Sequence, residues 1–386
     1  KYMKKVLFIS DQYISGVIGG SLGHKRFYDI LSNNYGCEFK VISLDCNLKN
    51  GLNVNFNKNK FIDSYTRIRL HSSFLFFYVE EICKAIYNYN PQVVIIGRSR
   101  LGFLAKRLKE LLPSVIIITN FDNIEFDYVD AQFAQKTGLT GIIVKTWEKY
   151  AVKQDEYNRI KYSNKFIFLS KRDQERAEKI YGVINEDNSY VFPICLKETV
   201  ELNKKTKNKN LIFIGNLEYA ANIKSIKWFI KNVWMPYYSD SKDIILNIAG
   251  KSADSVLNQY KDIENIKIYS DFKNVADIVY RNSLYIAPIQ TGAGMKVKIA
   301  EALSMGLPII GTDEALVGYE DAEEYLTKEE GFLIRANSVK DYRKYIEEYK
   351  IMPKEKLEEI SRNNKKAFNL FYSYNQAKNI LQKIIF

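Results

Sequence analysis

The chain is poor in the residues that build disulfides and soft-metal sites. It holds 4 cysteines and 2 histidines in 386 residues. Cys37, Cys46, Cys83 and Cys195 are scattered with no CxxC pair, and His24 and His71 stand apart. That spacing argues against a zinc site and for a reducing, cytoplasmic setting. Long apolar runs are missing too. A membrane span needs roughly 20 apolar residues, whereas Phe74–Val79 ends at Glu80 and Glu81. A secretory leader is not expected, because Val6–Ser10 is too short for its apolar core and Asp11 follows. No RNA-binding motif appears and the lysines are dispersed, which sets nucleic acid aside as a partner.

What is present describes a globular chain. Apolar residues make up 46% and charged residues 26%. The length exceeds one ordinary core, so two domains are expected. Net charge is +12. Residues 1–200 carry 29 Lys+Arg against 21 Asp+Glu, leaving 28 against 24 for the remainder. The first half thus holds the larger basic surplus. It is the place to expect an anionic partner, such as a lipid phosphate or membrane surface. The plainer reading is a chain generally rich in lysine.

The most informative stretch is Ile286–Thr312, IAPIQTGAGMKVKIAEALSMGLPIIGT. Ser283–Ala287 reads as a buried strand. A turn with Gly292 and Gly294 follows, then a helix predicted over Met295–Met305. Gly306 and Pro308 stop it, and Pro308–Ile310 reads as the next strand. A helix start freed by two glycines, with Lys296 and Lys298 beside it, is an anion site suited to phosphate. Glu301 lies further along, placed to accept hydrogen bonds from hydroxyls. Phosphate and polyol together suggest a nucleotide or nucleotide-sugar. Taken singly, Lys296 and Lys298 are ordinary solvated lysines; the glycines beside them favour the ligand role.

Elsewhere, strands alternate with helices. Lys5–Ser10 is a strand, followed by the glycine-rich segment containing Gly16, Gly19, Gly20 and Gly23, and a helix over Leu22–Leu31. Gly19 and Gly20 lack the dinucleotide spacing; they either let backbone approach a ligand at a sheet edge or simply make a tight turn. Strands follow at Phe39–Leu44, Val93–Gly97, Val115–Thr119, Lys165–Ser170 and Tyr190–Ile194. Helices are read over Ser73–Tyr89 and Gly102–Leu112. His24 reads as a surface histidine at a helix start, and Arg98 and Arg100 as surface or interdomain ion pairs. Glu198–Asn210 is polar and non-periodic and reads as a linker. A second series runs through strands Leu211–Gly215, Ile244–Ala249, Ile266–Ser270 and Gly331–Ile334. Its helices are Ile223–Trp234, one around Val275–Arg281, and three at the end, Val339–Tyr349, Lys354–Phe371 and Asn375–Ile385. The aromatics of Trp228–Tyr238 read as core. The fold class is α/β, with two doubly wound, Rossmann-like halves.

The second half resembles the nucleotide-binding domain of GT-B-fold glycosyltransferases, specifically glycosyltransferase family 4. The resemblance rests on Phe213–Phe229, Asn247–Lys251, Ser270–Thr312 and Gly318–Glu320, in that family's order over about 110 residues. The first half is similar to the acceptor domain more loosely, through Gly19–Gly20 and Thr119–Tyr128. The resemblance implies two domains facing across a cleft: residues 1–197, a linker at 198–210, residues 211–365, and closing helices over 366–386 that pack back toward the first domain. It implies transfer of a sugar from a nucleotide diphosphate sugar, UDP-linked, to an acceptor hydroxyl. Retention, no metal and no cofactor go with it, and bacterial surface glycan or glycoconjugate synthesis is the implied setting.

By that resemblance, Lys296 with the backbone of Gly294 and Met295 stabilises the leaving diphosphate. Glu301 binds ribose hydroxyls, and Phe272 and Val275 hold the base. Asn216 and Lys251 add phosphate or sugar contacts. Asp122, Lys296 and Glu301 are the catalytic candidates. Two positions depart from the family pattern. Ala293 stands where the first of two glutamates is usual, and Asp122-Asn123-Ile124-Glu125 replaces His-Asn-x-Glu. Asp122 is expected to orient a hydroxyl, or to act as a base if burial raises its pKa. A sugar-nucleotide epimerase of the same fold and a catalytically silent partner subunit are the alternatives. The acceptor is expected to be a glycan, a lipid-linked or a protein-linked group.

Overall fold

A computed structural model describes residues 3–16, 19–33, 36–45, 47–133, 138–182, 184, 186–197, 201–202, 208–270, 272, 274–292 and 294–386. The chain divides into two compact units, Lys1–Pro193 with Ala377–Phe386, and Ile194–Gln376. Most of the segment read as a linker lies outside the described residues. The strand after it starts at Lys209, two residues earlier than Leu211.

The first unit contains β1 (Lys4–Ile9), α1 (Gly19–Ser32), β2 (Cys37–Ile42), α2 (Lys60–Ile68), α3 (Val79–Tyr89), β3 (Val93–Ile96), α4 (Gly102–Leu111), β4 (Ile116–Phe121), α5 (Glu125–Gln132), α6 (Leu139–Tyr162), β5 (Lys165–Phe168), α7 (Lys171–Tyr181) and β6 (Ser189–Val191). The strands form one parallel sheet in the order β2-β1-β3-β4-β5-β6. Val6–Ile9 and Val93–Ile96 are wholly buried, because helices cover both faces of the sheet. Gly19 and Gly20 open α1 itself, where a turn ahead of the helix was expected. The helix read over Ser73–Tyr89 is a 3-10 segment, Phe74–Tyr78, followed by α3.

Helix α6 inverts the usual polarity. Glu148, Asp155, Glu156 and Arg159 are buried, while Leu139, Ile142, Ile143, Tyr150 and Tyr157 are exposed. Each buried charge has at least one hydrogen-bond partner, although Arg159 Nε and Nη1 have none among the described residues. Asp155 accepts from Ser72 N at 3.2 Å, Ser72 Oγ at 3.0 Å and Phe103 N at 3.3 Å. Glu156 accepts from Ser99 Oγ at 2.6 Å and Tyr181 Oη at 2.5 Å, and from the Glu125 and Phe126 amides at 2.9 and 3.2 Å. Those amides open α5, so Glu156 caps a neighbouring helix rather than its own. Arg159 donates from Nη2 to Ile96 O at 2.6 Å.

The second unit contains β7 (Lys209–Ile214), α8 (Ala220–Phe229), α9 (Met235–Tyr238), β8 (Ile244–Ala249), α10 (Ala253–Val256), β9 (Ile266–Tyr269), β10 (Leu284–Ala287), α11 (Val297–Ser304), β11 (Ile309–Gly311), α12 (Glu320–Lys328), β12 (Leu333–Arg335), α13 (Val339–Ile351) and α14 (Lys354–Phe371). A π-helical stretch, Ile230–Trp234, joins α8 to α9. Its sheet is also parallel, ordered β12-β11-β10-β7-β8-β9. The strand expected to close it, β12, lies at one edge. The helix expected around Val275–Arg281 shrinks to a single 3-10 turn, Val275–Asp277, capped by Asn274. Trp234 and Tyr238 are core residues, as expected. The last helix, α15 (Tyr374–Ile385), begins in this unit, and from Ala377 the chain belongs to the first. There Lys4 Nζ donates to Ile385 O at 3.0 Å and Lys165 Nζ to Ile384 O at 2.5 Å, capping the negative end of α15 with two cations.

Burial pushes the Glu156 carboxyl up to about 7 from its ordinary 4.5, against the pull of Ser99 and Tyr181 and with help from the charge of Glu125. The folded state therefore prefers the protonated acid. This contribution is full below pH 4.5 and is lost as pH rises through 7, a change of about 3 kcal/mol. Urea unfolding of wild type and Glu156→Gln at several pH values across that window is expected to show a shallower pH slope in the variant. Equal slopes would mean that Glu156 titrates normally.

Candidate functional site

Each sheet reverses direction once. In the second unit the chain runs from β7 outward to β8 and β9, then returns to the other side of β7 with β10. Loops after β7 and β10 diverge to opposite faces, and a crevice at the carboxyl ends of the strands is the result. The loop after β10 is the glycine stretch singled out from sequence. Gly292 is exposed, and a Cβ there would stand 3.3 Å from Lys296 Nζ. Gly294 is buried in the left-handed region at φ +61°, which glycine adopts without strain. Ala293 lies outside the described residues.

Helix α11 starts two residues later than expected, with Lys296 as its N-cap. The Ile299 amide is bonded to Lys296 O and the Ala300 amide to Tyr319 Oη. Among the described residues no acceptor takes the Val297 or Lys298 amide. Two such N–H groups at the positive end of a helix suit an anion. Lys296 is held beside them: Nζ donates to Gly294 O at 2.8 Å and to Glu314 Oε1 at 2.9 Å. Glu301 is paired with Lys298 at 2.6 Å, so a ribose would have to draw it from that partner.

Glu314 went unread in the sequence, and Tyr319 stood there only as part of the Gly318–Glu320 motif, without a role. Glu314 is the counter-ion of Lys296, and nothing in local spacing marks it. Tyr319 is fully buried; its hydroxyl donates to Lys296 O at 2.8 Å and accepts from the Ala300 amide at 3.1 Å. It fixes the first turn of α11. Its neighbour Gly318 sits at φ +83°, and a Cβ there would meet Met295 Cγ at 2.5 Å. The Gly318–Glu320 motif thus shapes the loop under Met295.

Asn216 and Lys251 follow β7 and β8 at the same sheet edge. Asn216 Oδ1 accepts from the Glu218 amide at 2.9 Å, and Lys251 pairs with Glu218 at 3.0 Å. Both are exposed and already serve the turn. Phe272 and Val275 lie after β9, half-buried, with Val275 opening the 3-10 turn.

In the first unit the reversal falls between β1 and β3. His24 is not a surface residue: it is fully buried. Its Nδ1 shares a 2.6 Å hydrogen bond with Ser10 Oγ, and its Nε2 a 2.5 Å bond with Asp122 Oδ2. A Cβ on Gly97 would stand 2.7 Å from this ring, so a glycine at the end of β3 admits the histidine. Asp122 Oδ1 accepts from Asn120 Nδ2 at 2.5 Å. Burial would raise the Asp122 carboxyl, but His24, Arg26 and Asn120 hold it below the usual range. The raised carboxyl pKa that a base role calls for is not found at Asp122; both of its oxygens are anchored as acceptors, by His24 and Asn120. Gly19 and Gly20 belong to the same α1 that carries His24.

Arg98 and Arg100 are not surface or interdomain pairs either. Within the first unit, Arg98 contacts Asp11 at 3.4 Å and Glu125 at 3.3 Å. Arg100 donates to Glu125 at 2.7 Å and to Glu148. Burial would raise Glu125, but the two guanidiniums hold it below the ordinary range.

Residues 208–349 match the family described as Glycosyl transferases group 1. Both units are superimposable on solved glycosyltransferases. One is a glycosyltransferase from Rickettsia africae, at TM-score 0.66 and 14% identity, covering 100% of this chain and 98% of that one. The fold is that of the GT-B glycosyltransferases. An Anabaena protein solved in complex with UDP and glucose is similar at TM-score 0.63 and 11% identity, with 98% of each chain covered. An uncharacterized 44.6 kDa protein in the cps region of Klebsiella pneumoniae is 24% identical over 198 residues, 49% of this chain and 50% of that protein. The chain spans about half the length of the curated relatives it matches.

Removing the Tyr319 hydroxyl breaks two bonds and leaves the Ala300 amide unpaired. Tyr319→Phe is expected to cost about 1–2 kcal/mol in urea unfolding, and Gly318→Ala more, because it adds backbone strain and overlap with Met295. An unchanged midpoint for Tyr319→Phe would show that the hydroxyl does not hold this turn.

Proposed function

We propose that this protein transfers a sugar from a nucleotide diphosphate sugar, UDP-linked, to an acceptor hydroxyl, with retention and without a metal ion. The observation that carries the reading is the unclaimed amide pair of Val297 and Lys298 beside the Lys296 ammonium, inside the segment that matches Glycosyl transferases group 1. As the bond between the sugar and the diphosphate breaks, negative charge builds on the departing phosphate. A helix start and a fixed lysine stabilise that charge more than the ground state, which is what lowers the barrier. Glu314 keeps Lys296 aimed and is the partner it leaves.

Glu301 then holds the ribose hydroxyls, and Phe272 and Val275 flank the base. Asn216 and Lys251 add contacts near the same edge. In the first unit Asp122 is the acceptor-side carboxylate. With its pKa depressed it stays ionised at neutral pH and orients a hydroxyl. The acceptor proton then passes to the departing diphosphate, whose basicity rises as it leaves. The basic surplus of the first half suits an acceptor attached to an anionic lipid or glycan.

A thermal-shift series with UDP, GDP and ADP, and with their glucose conjugates, tests the reading. UDP and a UDP-sugar are expected to raise the melting temperature. Lys296→Ala and Glu301→Ala are each expected to weaken that binding by about tenfold or more while leaving the ligand-free protein folded. Transfer is expected to survive EDTA. If no nucleotide diphosphate shifts the melt, the donor site is wrong. An epimerised nucleotide sugar in the absence of acceptor would replace transfer with epimerisation.

A further inference from the structure

We propose that a cavity within the first unit binds a sugar carrying an anionic group, and that this sugar is the acceptor. The word acceptor rests on the glycosyl-transfer reading; the binding site does not.

The cavity has a volume of about 610 Å³. That is room for one or two sugar rings. It opens where β1 and β3 diverge, and its wall includes Asp11 from the end of β1 and Arg98 from the end of β3. Arg98 holds a left-handed backbone at φ +57°, a strained state for a non-glycine residue and one that concentrates at binding sites.

Two buried polar atoms on this wall have no hydrogen-bond partner among the described residues: Asp11 Oδ1 and Thr66 Oγ1. Asp11 is 8% exposed and Thr66 is 2% exposed. Asp11 Oδ2 is held by Arg98, which limits how its other oxygen can turn. A bare carboxylate oxygen takes a hydroxyl donor, and a threonine hydroxyl both gives and accepts. Sugar hydroxyls supply both kinds of partner. Phe56 and Phe74, edge to face at 6.5 Å, give the same wall an apolar side for the C–H face of a ring.

The rim decides the charge of the ligand. Arg98 and Arg100 face three carboxylates, Asp11, Glu125 and Glu148, so no positive charge is left over among them. Lys58 and Arg67 also line the cavity, are exposed, and have no carboxylate partner among the described residues. Lys58 Nζ lies 5.3 Å over the Phe74 ring, so its charge is held at the mouth. Asp63 is the one rim acid set against them. The unmatched charge at the mouth is therefore positive, while the hydroxyl-binding atoms lie deeper. A phosphate or carboxylate on the sugar meets the rim as the ring meets Asp11 and Thr66.

Titration calorimetry on the full chain tests this with glucose, glucose 6-phosphate, glucuronic acid and inorganic phosphate as probes. The two charged sugars are expected to bind about tenfold more tightly than glucose or more, and their order separates phosphate from carboxylate. The double variant Lys58→Ala/Arg67→Ala, both surface positions, is expected to bring them down to the level of glucose. Thr66→Val is expected to weaken all three sugars and leave inorganic phosphate unchanged. Glucose binding as tightly as the charged sugars overturns the anionic class. Inorganic phosphate binding as tightly as glucose 6-phosphate reduces the site to an anion patch. Absence of sugar binding at millimolar concentration, or unchanged binding in the double variant, overturns the site. UDP titrated into the same samples is a separate reading: its failure strikes the donor site and leaves the cavity standing.

Discussion

The reversal of strand order in each sheet is the constraint on which the rest depends. Parallel strands are joined by right-handed crossovers. A sheet that grows first to one side and then to the other must send two neighbouring loops to opposite faces. Between β7 and β10 this opens the place where the Gly292–Gly294 loop delivers Lys296 and two unclaimed amides. Between β1 and β3 it places Asp11 against Arg98. Neither arrangement needs a special motif; each follows from the path of the chain and is then furnished by side chains.

The two units furnish these places differently. The second uses backbone. Two amides of a short helix are left without an acceptor among the described residues, and Tyr319 and Gly318 keep the helix start in shape. The first uses charged side chains, most of them buried, in compensating ladders, from Asp11 through Arg98 and Glu125 to Arg100 and Glu148. Such ladders hold charge in a low-dielectric setting only when every member is partnered, and breaking one strands the rest. Asp122 sits in a separate chain with His24 and Ser10, and His24, Arg26 and Asn120 hold its carboxyl below the usual range against the effect of burial.

The places where the sequence misled share a cause. Hydrophobic periodicity assumes that charge points outward. In α6 the inward stripe is Glu148, Asp155, Glu156 and Arg159, and several apolar side chains face out. A pattern search sees a solvated helix or none, and the hub of the first unit stays hidden. His24 was misplaced for the same reason: its burial depends on a glycine 73 positions away, Gly97, leaving room for the ring. The glycine loop was legible because its logic is local. Strand, glycines, lysine and helix stop all fall within Ile286–Thr312.

The sequence by itself determined the alternation of strands and helices, the two-part α/β plan and the position of the glycine loop ahead of α11. These depend on short-range properties: apolar runs, glycine at a helix start, glycine and proline at its end. Only the tertiary structure decided which residues complete the sites. Glu314 joins Lys296, Tyr319 pins α11, and His24 joins Asp122 from 98 residues away. Such pairings belong to strand order and packing, because a long-range contact is fixed by where the sheet places two loops and not by any residue's immediate neighbours.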